Sequence, residues 1–236
     1  DSKNLLVAPN GSPLNERQRE YVANVICGRD VVLIGAAGTG KTTAVQASMK
    51  ALLALGLVGT IPKAALKHIY AENAPSMIAC AFTNRAARNI ATKLPAGMEQ
   101  NAMTHHKLCE YVPVDKNSAE AKRFVPSRNP KNPLPDLDVV FYEEASMMDY
   151  TLYKIQEAAY SPARRPTEVT LGDMYQLPPI FGPSLLAMKL LDTPVIELTE
   201  VYRQAMDSPI IRLAHAIKDG VAISPLKRGD YTKPGE

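Results

Sequence analysis

Apolar and polar positions along the chain fall into two kinds of segment. Short runs that are apolar throughout alternate with longer stretches in which apolar residues recur every three or four positions. "SPLNERQREYVANVICG", residues 12–28, has helical spacing, a capping Asn15 and a closing Gly28, and predicts a helix. "DVVLIG" predicts a short buried strand, and "KTTAVQASMKALLAL" a helix stopped by Gly56. "SMIACAF" predicts a second strand, followed by the helix "NRAARNIATKL". "DLDVVFY", "TEVTLG" and "TPVIELT" predict a third, fourth and fifth. Strands that are apolar on both faces and alternate with helices imply an α/β fold, a parallel sheet covered on both sides.

Three segments stand outside that rhythm. "GLVGTIPKAALKHIYAENAPS", residues 56–76, is longer than a helix-to-strand connection needs, and the expectation is an extra helix on the surface. "VPSRNPKNPLPDLD", residues 125–138, is proline-rich and marks a loop or excursion. From about Tyr202 the chain reads as a helix and then a loop, the beginning of another unit.

Composition narrows the class. With 236 residues and 46% apolar content the chain can bury a sizeable core. No apolar run approaches the length of a membrane span, and no signal-peptide pattern opens the sequence. Cys27, Cys80 and Cys109 are scattered singly, which argues for a reducing compartment and against a zinc ribbon or disulfide scaffold. They read as small buried apolar residues. A net charge of +3 is compatible with nucleic acid without demanding it. The sequence opens on Asp and ends "YTKPGE", and both ends read as cut from something longer.

The strongest motif is "GAAGTGKTT", residues 35–43, which fits G-x-x-x-x-G-K-[ST] between a strand and a helix. Gly35, Gly38 and Gly40 let the backbone curl so that its N–H groups face a polyphosphate, and the helix N-terminus adds its positive end. Gly38, Thr39, Gly40, Lys41, Thr42 and Thr43 form the nucleotide-binding set. Lys41 reaches the β- and γ-phosphates, and the Thr42 hydroxyl ligates Mg²⁺.

"VVFYEEASMMD", residues 139–149, is the one predicted strand that ends in acids. Such a strand is expected beside the P-loop strand, ending at the nucleotide. Glu143 is assigned to the metal shell and Glu144 to the attacking water, since Mg²⁺ takes oxygen ligands and hydrolysis needs an oriented water. In "TLGDMYQLPPI", Asp173 and Gln176 stand at the C-terminal end of a strand, where ligands gather in open sheets. "ELTEVYRQ" delivers Arg203, a guanidinium suited to γ-phosphate charge. Taken singly, either is weak.

In order, "NERQREYV", "GAAGTGKTT", "AFTNRAARNI", "MTHHKL", "VVFYEEASMMD", "TLGDMYQLPP" and "ELTEVYRQ" resemble the successive motifs of superfamily 1 DNA helicases. The RecD-like branch (superfamily 1B, Dda-type) is the nearest, and the resemblance runs from about residue 13 to about residue 220. It implies a RecA-like P-loop NTPase fold. A tail (1–12) would precede motor domain 1A (13–201), and the start of a second RecA-like domain, 2A, would follow (202–236). It implies ATP and Mg²⁺ as cofactors and single-stranded DNA as partner. It further implies 5′→3′ movement and a place in replication, repair or recombination, in the cytoplasm of a bacterial or phage-infected cell and without a membrane. Gln18 would read adenine, and Gln176 and Arg203 would sense the γ-phosphate. Thr83, Asn84, Thr104 and His106 would meet the DNA backbone. Thr83 and Thr104 equally suit helix caps, and His105 competes with His106 as the contacting histidine.

The family also carries a small inserted β-hairpin, subdomain 1B, that acts as a pin. Here it would lie at about 108–136, with strands "EYVPV" and "RFVPS", Tyr111 and Phe124 for stacking, and a basic balance from Lys116, Lys122, Arg123, Arg128 and Lys131. An irregular solvated loop is the alternative.

Two departures limit the carry-over. The family's usual Asp–Glu pair is Glu143–Glu144 here, one methylene longer at the metal, so nucleotide binding is expected to survive and hydrolysis to weaken. The chain also holds no later motif of a second motor domain, so alone it is expected not to unwind. The competing readings are a nucleotide-dependent module that clamps single-stranded DNA or a protein, and a P-loop NTPase unrelated to nucleic acid.

Overall fold

A computed structural model describes residues 7–8, 11–114, 124–200 and 208–220. Arg203 and most of the expected start of domain 2A lie outside these residues, as does the loop between the two pin strands.

The centre is a six-stranded parallel sheet. Its strands are β1 (Val31–Gly35), β4 (Met77–Ala81), β5 (Ala102–Thr104), β8 (Val139–Glu143), β9 (Thr167–Gly172) and β10 (Val195–Leu198). Their order is β10-β1-β9-β8-β4-β5. The five strands read from the sequence are all present. The sixth, β5, is only three residues of "AMT" and pairs Ala79–Ala81 at the sheet edge. So short an edge strand carries no periodic signal of its own.

Against expectation, the acidic strand β8 is not beside the P-loop strand β1, because β9 lies between them and pairs with both. Five of the six residues of β9 are buried, as a strand with neighbours on both edges and layers on both faces must be. The C-terminal end of β9, which runs into Asp173, is therefore delivered directly beside the P-loop.

Helices α1 (Glu16–Ile26), α2 (Lys41–Ala54) and α3 (Asn84–Ala91) accompany one core cluster, built on Tyr21, Leu33, Val45, Met49, Phe141 and Leu171. α5 (Tyr150–Ala158) and α6 (Leu185–Lys189) accompany a second, with Val32, Ile78, Tyr142, Tyr153 and Leu186. The two clusters use alternate residues of the same strands, so both faces of the sheet are covered. α1 begins where expected, with a complete capping box between Asn15 and Gln18; such caps are worth about 1 kcal/mol.

The segment 56–76 is not a surface helix. It forms a short antiparallel pair, β2 (Thr60–Ile61) with β3 (Ala74–Pro75), around a series of turns. Ile61, Leu66, Ile69 and Ala74 belong to the second core cluster. Four anchors at irregular spacing pull the segment onto the core without a helical period. The predicted hairpin is present: β6 (Tyr111–Pro113) pairs antiparallel with β7 (Phe124–Pro126). Cys80 and Cys109 are buried as expected, but Cys27 is exposed at the end of α1.

A buried polar network lies under the second cluster. Glu168, 1% exposed, accepts hydrogen bonds from Tyr153 Oη (2.9 Å), Tyr160 Oη (3.0 Å), Arg165 Nη2 (2.8 Å) and Lys189 Nζ (2.6 Å). With a longer bond from Tyr142 Oη (3.4 Å), five donors surround the one carboxylate. Among the described residues no helix is long and apolar enough to cross a membrane.

Candidate active site

The P-loop geometry follows from its glycines, each for a different reason. Gly38 and Gly40 take left-handed backbone, at φ 82° and 85°. Gly35 is needed for space: a Cβ there would stand 2.5 Å from Thr39 Oγ1 and 2.8 Å from the Leu198 carbonyl. Gly40 is the N-cap of α2 and supplies no side-chain cap, so the first N–H groups of α2 are left for a ligand. Lys41 Nζ donates to the Gly35 and Ala36 carbonyls, the latter at 3.1 Å, and so folds over the loop that a phosphate would fill. Burial pushes the Lys41 ammonium below its ordinary range, against the opposing pull of Asp173 and Glu143.

The strands align the acids with this loop. β1 residue Ile34 stands opposite Gly172 of β9, and Glu143 of β8 stands opposite Ala81 of β4. One cleft of about 160 Å³ is lined by Lys41, Thr42, Lys93, Glu143, Glu144 and Gln176 among others. Burial pushes the Glu143 carboxyl up to about 7; Lys93 and Lys41 pull it down, and Glu144 adds to the rise. Glu144 sits in left-handed backbone at φ 52°, uncommon for a non-glycine residue and costing about 1 kcal/mol or more. The turn that holds it is fixed by the Ala145 N–H to Leu171 carbonyl bond (2.9 Å) and the Met147 N–H to Glu144 carbonyl bond (2.9 Å). Ser146 Oγ donates to Gln176 Oε1 at 3.1 Å, tying the acidic turn to the loop after β9.

Among the described residues no group of three His, Cys, Asp or Glu forms a metal cage. The donors present are the Thr42 hydroxyl and the Glu143 carboxyl on one cleft. That sparse, all-oxygen set fits Mg²⁺, which keeps several waters and arrives with nucleotide phosphates.

Gln18 is buried; its amide accepts from the Asn15 N–H (3.0 Å) and donates to the Gly40 carbonyl (3.2 Å). It thus ties α1 to the P-loop. Thr39 turns its hydroxyl to the Ala36 carbonyl at 2.8 Å, while Thr43 lies in the first turn of α2. A second cleft, about 170 Å³, opens on the other side of the loop between Ala36, Thr39, Asp173 and Thr199. It is closed by the last helix described, Pro209–Lys218, whose His215 Nε2 lies 3.4 Å from the Ala37 carbonyl.

Thr83 and Thr104 both cap helices. Their hydroxyls accept from Ala86 N–H (3.1 Å) and from Lys107 N–H (3.2 Å), the latter in α4 (His105–Leu108). Asn84 and His106 are exposed. His105 is fully buried, its Nδ1 3.0 Å from Gln156 Oε1, so His106 alone of the pair offers its side chain to a ligand. Lys93 belongs to no motif legible in the sequence, and Ser146, though inside the acidic stretch 139–149, carries no role that the sequence shows. Each is an ordinary residue there, and only the fold sets it against the acids.

Residues 18–182 match the family model described as AAA domain. The ATP-dependent RecD2 DNA helicase of Deinococcus radiodurans is 34% identical over 211 residues, which cover 89% of this chain and 24% of that protein. The chain thus spans about a quarter of the length of that curated relative. Among solved structures, the Pif1 helicase of Candida albicans superposes with a TM-score of 0.56 at 21% identity, over 89% of this chain and 45% of that one. At that identity the likeness speaks for the fold, a RecA-like P-loop sheet.

Proposed function

The chain belongs to the AAA domain family and carries the motif series of RecD-like superfamily 1 helicases, and from that premise we propose that it is the ATP-hydrolysing motor domain of a DNA helicase. The observation that carries the reading is the single cleft shared by Lys41, Thr42, Glu143, Glu144 and Gln176. Residues from three separate motifs meet where a γ-phosphate would lie.

Each side chain has a task there. The α2 N-terminus and the P-loop N–H groups hold the phosphates. Lys41 leaves the Gly35 and Ala36 carbonyls for the β- and γ-oxygens. Thr42 and Glu143 would hold Mg²⁺, and the ion would supply positive charge against the γ-phosphate. Glu144 orients the attacking water and takes its proton. Gln176, held by Ser146, would sense the γ-phosphate without adding charge, and Arg203, outside the described residues, is assigned the same task. Gln18 would read the adenine edge.

Hydrolysis would be coupled to movement along single-stranded DNA, 5′→3′, with Thr83, Asn84, Thr104 and His106 along the strand. Domain 1A would span 13–201, with 1B inserted at about 108–136 and 2A beginning at 202. The setting would be replication, repair or recombination in a bacterial or phage-infected cytoplasm, alongside proteins of those processes.

Steady-state ATP hydrolysis with Mg²⁺, with and without single-stranded DNA, tests the proposal against Lys41→Ala. Turnover that DNA stimulates and Lys41→Ala abolishes is the expected result. Nucleotide binding without turnover would replace the motor with a clamp. The observation that favours that second reading is Glu143 itself, a carboxylate one methylene longer than the family's usual Asp, standing in the cleft at the position assigned to the metal.

A further inference from the structure

Segment 56–76 is longer than its connection needs, and the nucleotide site uses none of it. It closes against the base of the β6–β7 hairpin. Arg128, just past β7, donates to the Ala65 carbonyl (2.6 Å) and to Glu110 Oε1 (3.0 Å). The same Glu110 oxygen accepts from the Lys67 N–H at 2.7 Å. Farther along, Gln100 Oε1 accepts from the Tyr70 N–H at 2.8 Å. Side chains from three places thus bolt the segment down, and its core anchors hold it from beneath.

This bolting leaves a continuous hollow on the outside. One part, about 710 Å³, is lined by Lys67, His68, His106, Lys107, Tyr111 and Phe124 together with Glu110. An adjoining part, about 370 Å³, includes Tyr70, Asn84 and Arg88. His68 and Lys107 line both, so the two are one track from α3 to the hairpin. Lys67, Arg88 and Lys107 are exposed, and none has an ion pair among the described residues. Two acids line the hollow: Glu110 is already taken by Arg128, and Glu99 stands exposed in the adjoining part, accepting from the Gly97 N–H at 3.2 Å, so the three exposed cations outnumber it. Tyr70 is 70% exposed and Phe124 57% exposed, large rings left facing water along the same track.

We propose that segment 56–76 forms one wall of a track for single-stranded nucleic acid, in which Lys67 and His68 meet phosphates and Tyr70 stacks on a base. Unpaired cations beside exposed rings are the two things a single strand uses, charge for its backbone and π-faces for its bases. The track leads the strand from Asn84 and Arg88 on α3 to Tyr111 and Phe124 on the hairpin. The clamp at Glu110 and Arg128 makes wall and hairpin one body. The inference deepens the motor reading and rests on it.

Fluorescence anisotropy of a labelled oligo-dT, titrated with this chain over a range of KCl, tests the proposal. Lys67→Ala/His68→Ala should raise Kd roughly tenfold. It should also flatten the slope of log Kd against log salt by about 0.7 for each phosphate no longer neutralised. Tyr70→Ala should raise Kd roughly fivefold or more with the salt slope unchanged. Lys63→Ala, in the same segment but paired with Glu72 away from the track, should bind like the parent. Unchanged melting temperatures show that the variants fold. If the parent binds oligo-dT and all these variants bind as tightly, the wall is wrong and the motor reading stands. If the parent binds nucleotide but no oligonucleotide, the motor reading falls and the wall with it.

Discussion

His105 allows a sharp test of the tertiary structure. Its ring is fully buried, its Nδ1 is 3.0 Å from Gln156 Oε1, and its Nε2 has no hydrogen-bond partner. Burial, reinforced by His106 and opposed by the Gln156 bond, pushes it from an ordinary 6.5 down to about 4. The folded state therefore binds fewer protons than the unfolded chain between those two values. The stability this residue protects is fully present above pH 6.5, is lost as pH falls toward 4, and changes no further below that. The gap corresponds to about 3 kcal/mol. His105→Asn keeps a donor for Gln156 and removes the titration; it costs about 1 kcal/mol or more at every pH through poorer packing. Urea unfolding of parent and variant should be measured from pH 7.5 to 4.5. The parent should lose about 2–3 kcal/mol more than the variant over that range. Curves that stay parallel would refute the buried, neutral histidine and with it the assignment of His106 as the exposed partner.

The site and the core supply three further outcomes. Glu143→Asp draws the carboxylate back from its neighbours by one methylene, and Mg²⁺-dependent turnover should rise severalfold with nucleotide affinity unchanged; equal turnover would make the longer side chain neutral. Gly35→Ala puts a Cβ 2.5 Å from Thr39 Oγ1 and 2.8 Å from the Leu198 carbonyl, and should cost about 1–3 kcal/mol in thermal unfolding and weaken nucleotide binding together. Lys189→Met removes one of the two cations on Glu168, leaving Arg165, in a site 1% exposed and should destabilise by about 1–3 kcal/mol in urea, with Glu168→Gln in the same chain restoring part of the loss.

The sequence alone determined what local rules govern. The P-loop, the cap at Asn15 and five of the six strands are legible because each is set by residues close together in the chain, while the two hairpin strands are expected only from the family resemblance. Glycines at 38 and 40 must turn left-handed wherever the loop is placed. Short apolar runs bounded by turn signals and rich in β-branched residues favour buried strands. The family resemblance rests on the same local phrases, and the RecD2 likeness supports it.

The tertiary structure decided whatever depended on distant neighbours. A periodic pattern says that a strand is buried, not which strand lies beside it, so only the assembled sheet put β9 between the P-loop strand and the acids. Segment 56–76 suggests a helix in sequence, yet its four core anchors have no period and the fold gives it turns. Glu143 reads in sequence as an acid at a strand end; only the fold surrounds it so that desolvation and Glu144 push its carboxyl up while Lys93 and Lys41 pull it down. Two adjacent histidines are indistinguishable in "MTHHKL", and a single turn of helix sends one into the core and the other to solvent. Burial and through-space charge are sums over the whole fold, and no short stretch of sequence contains them.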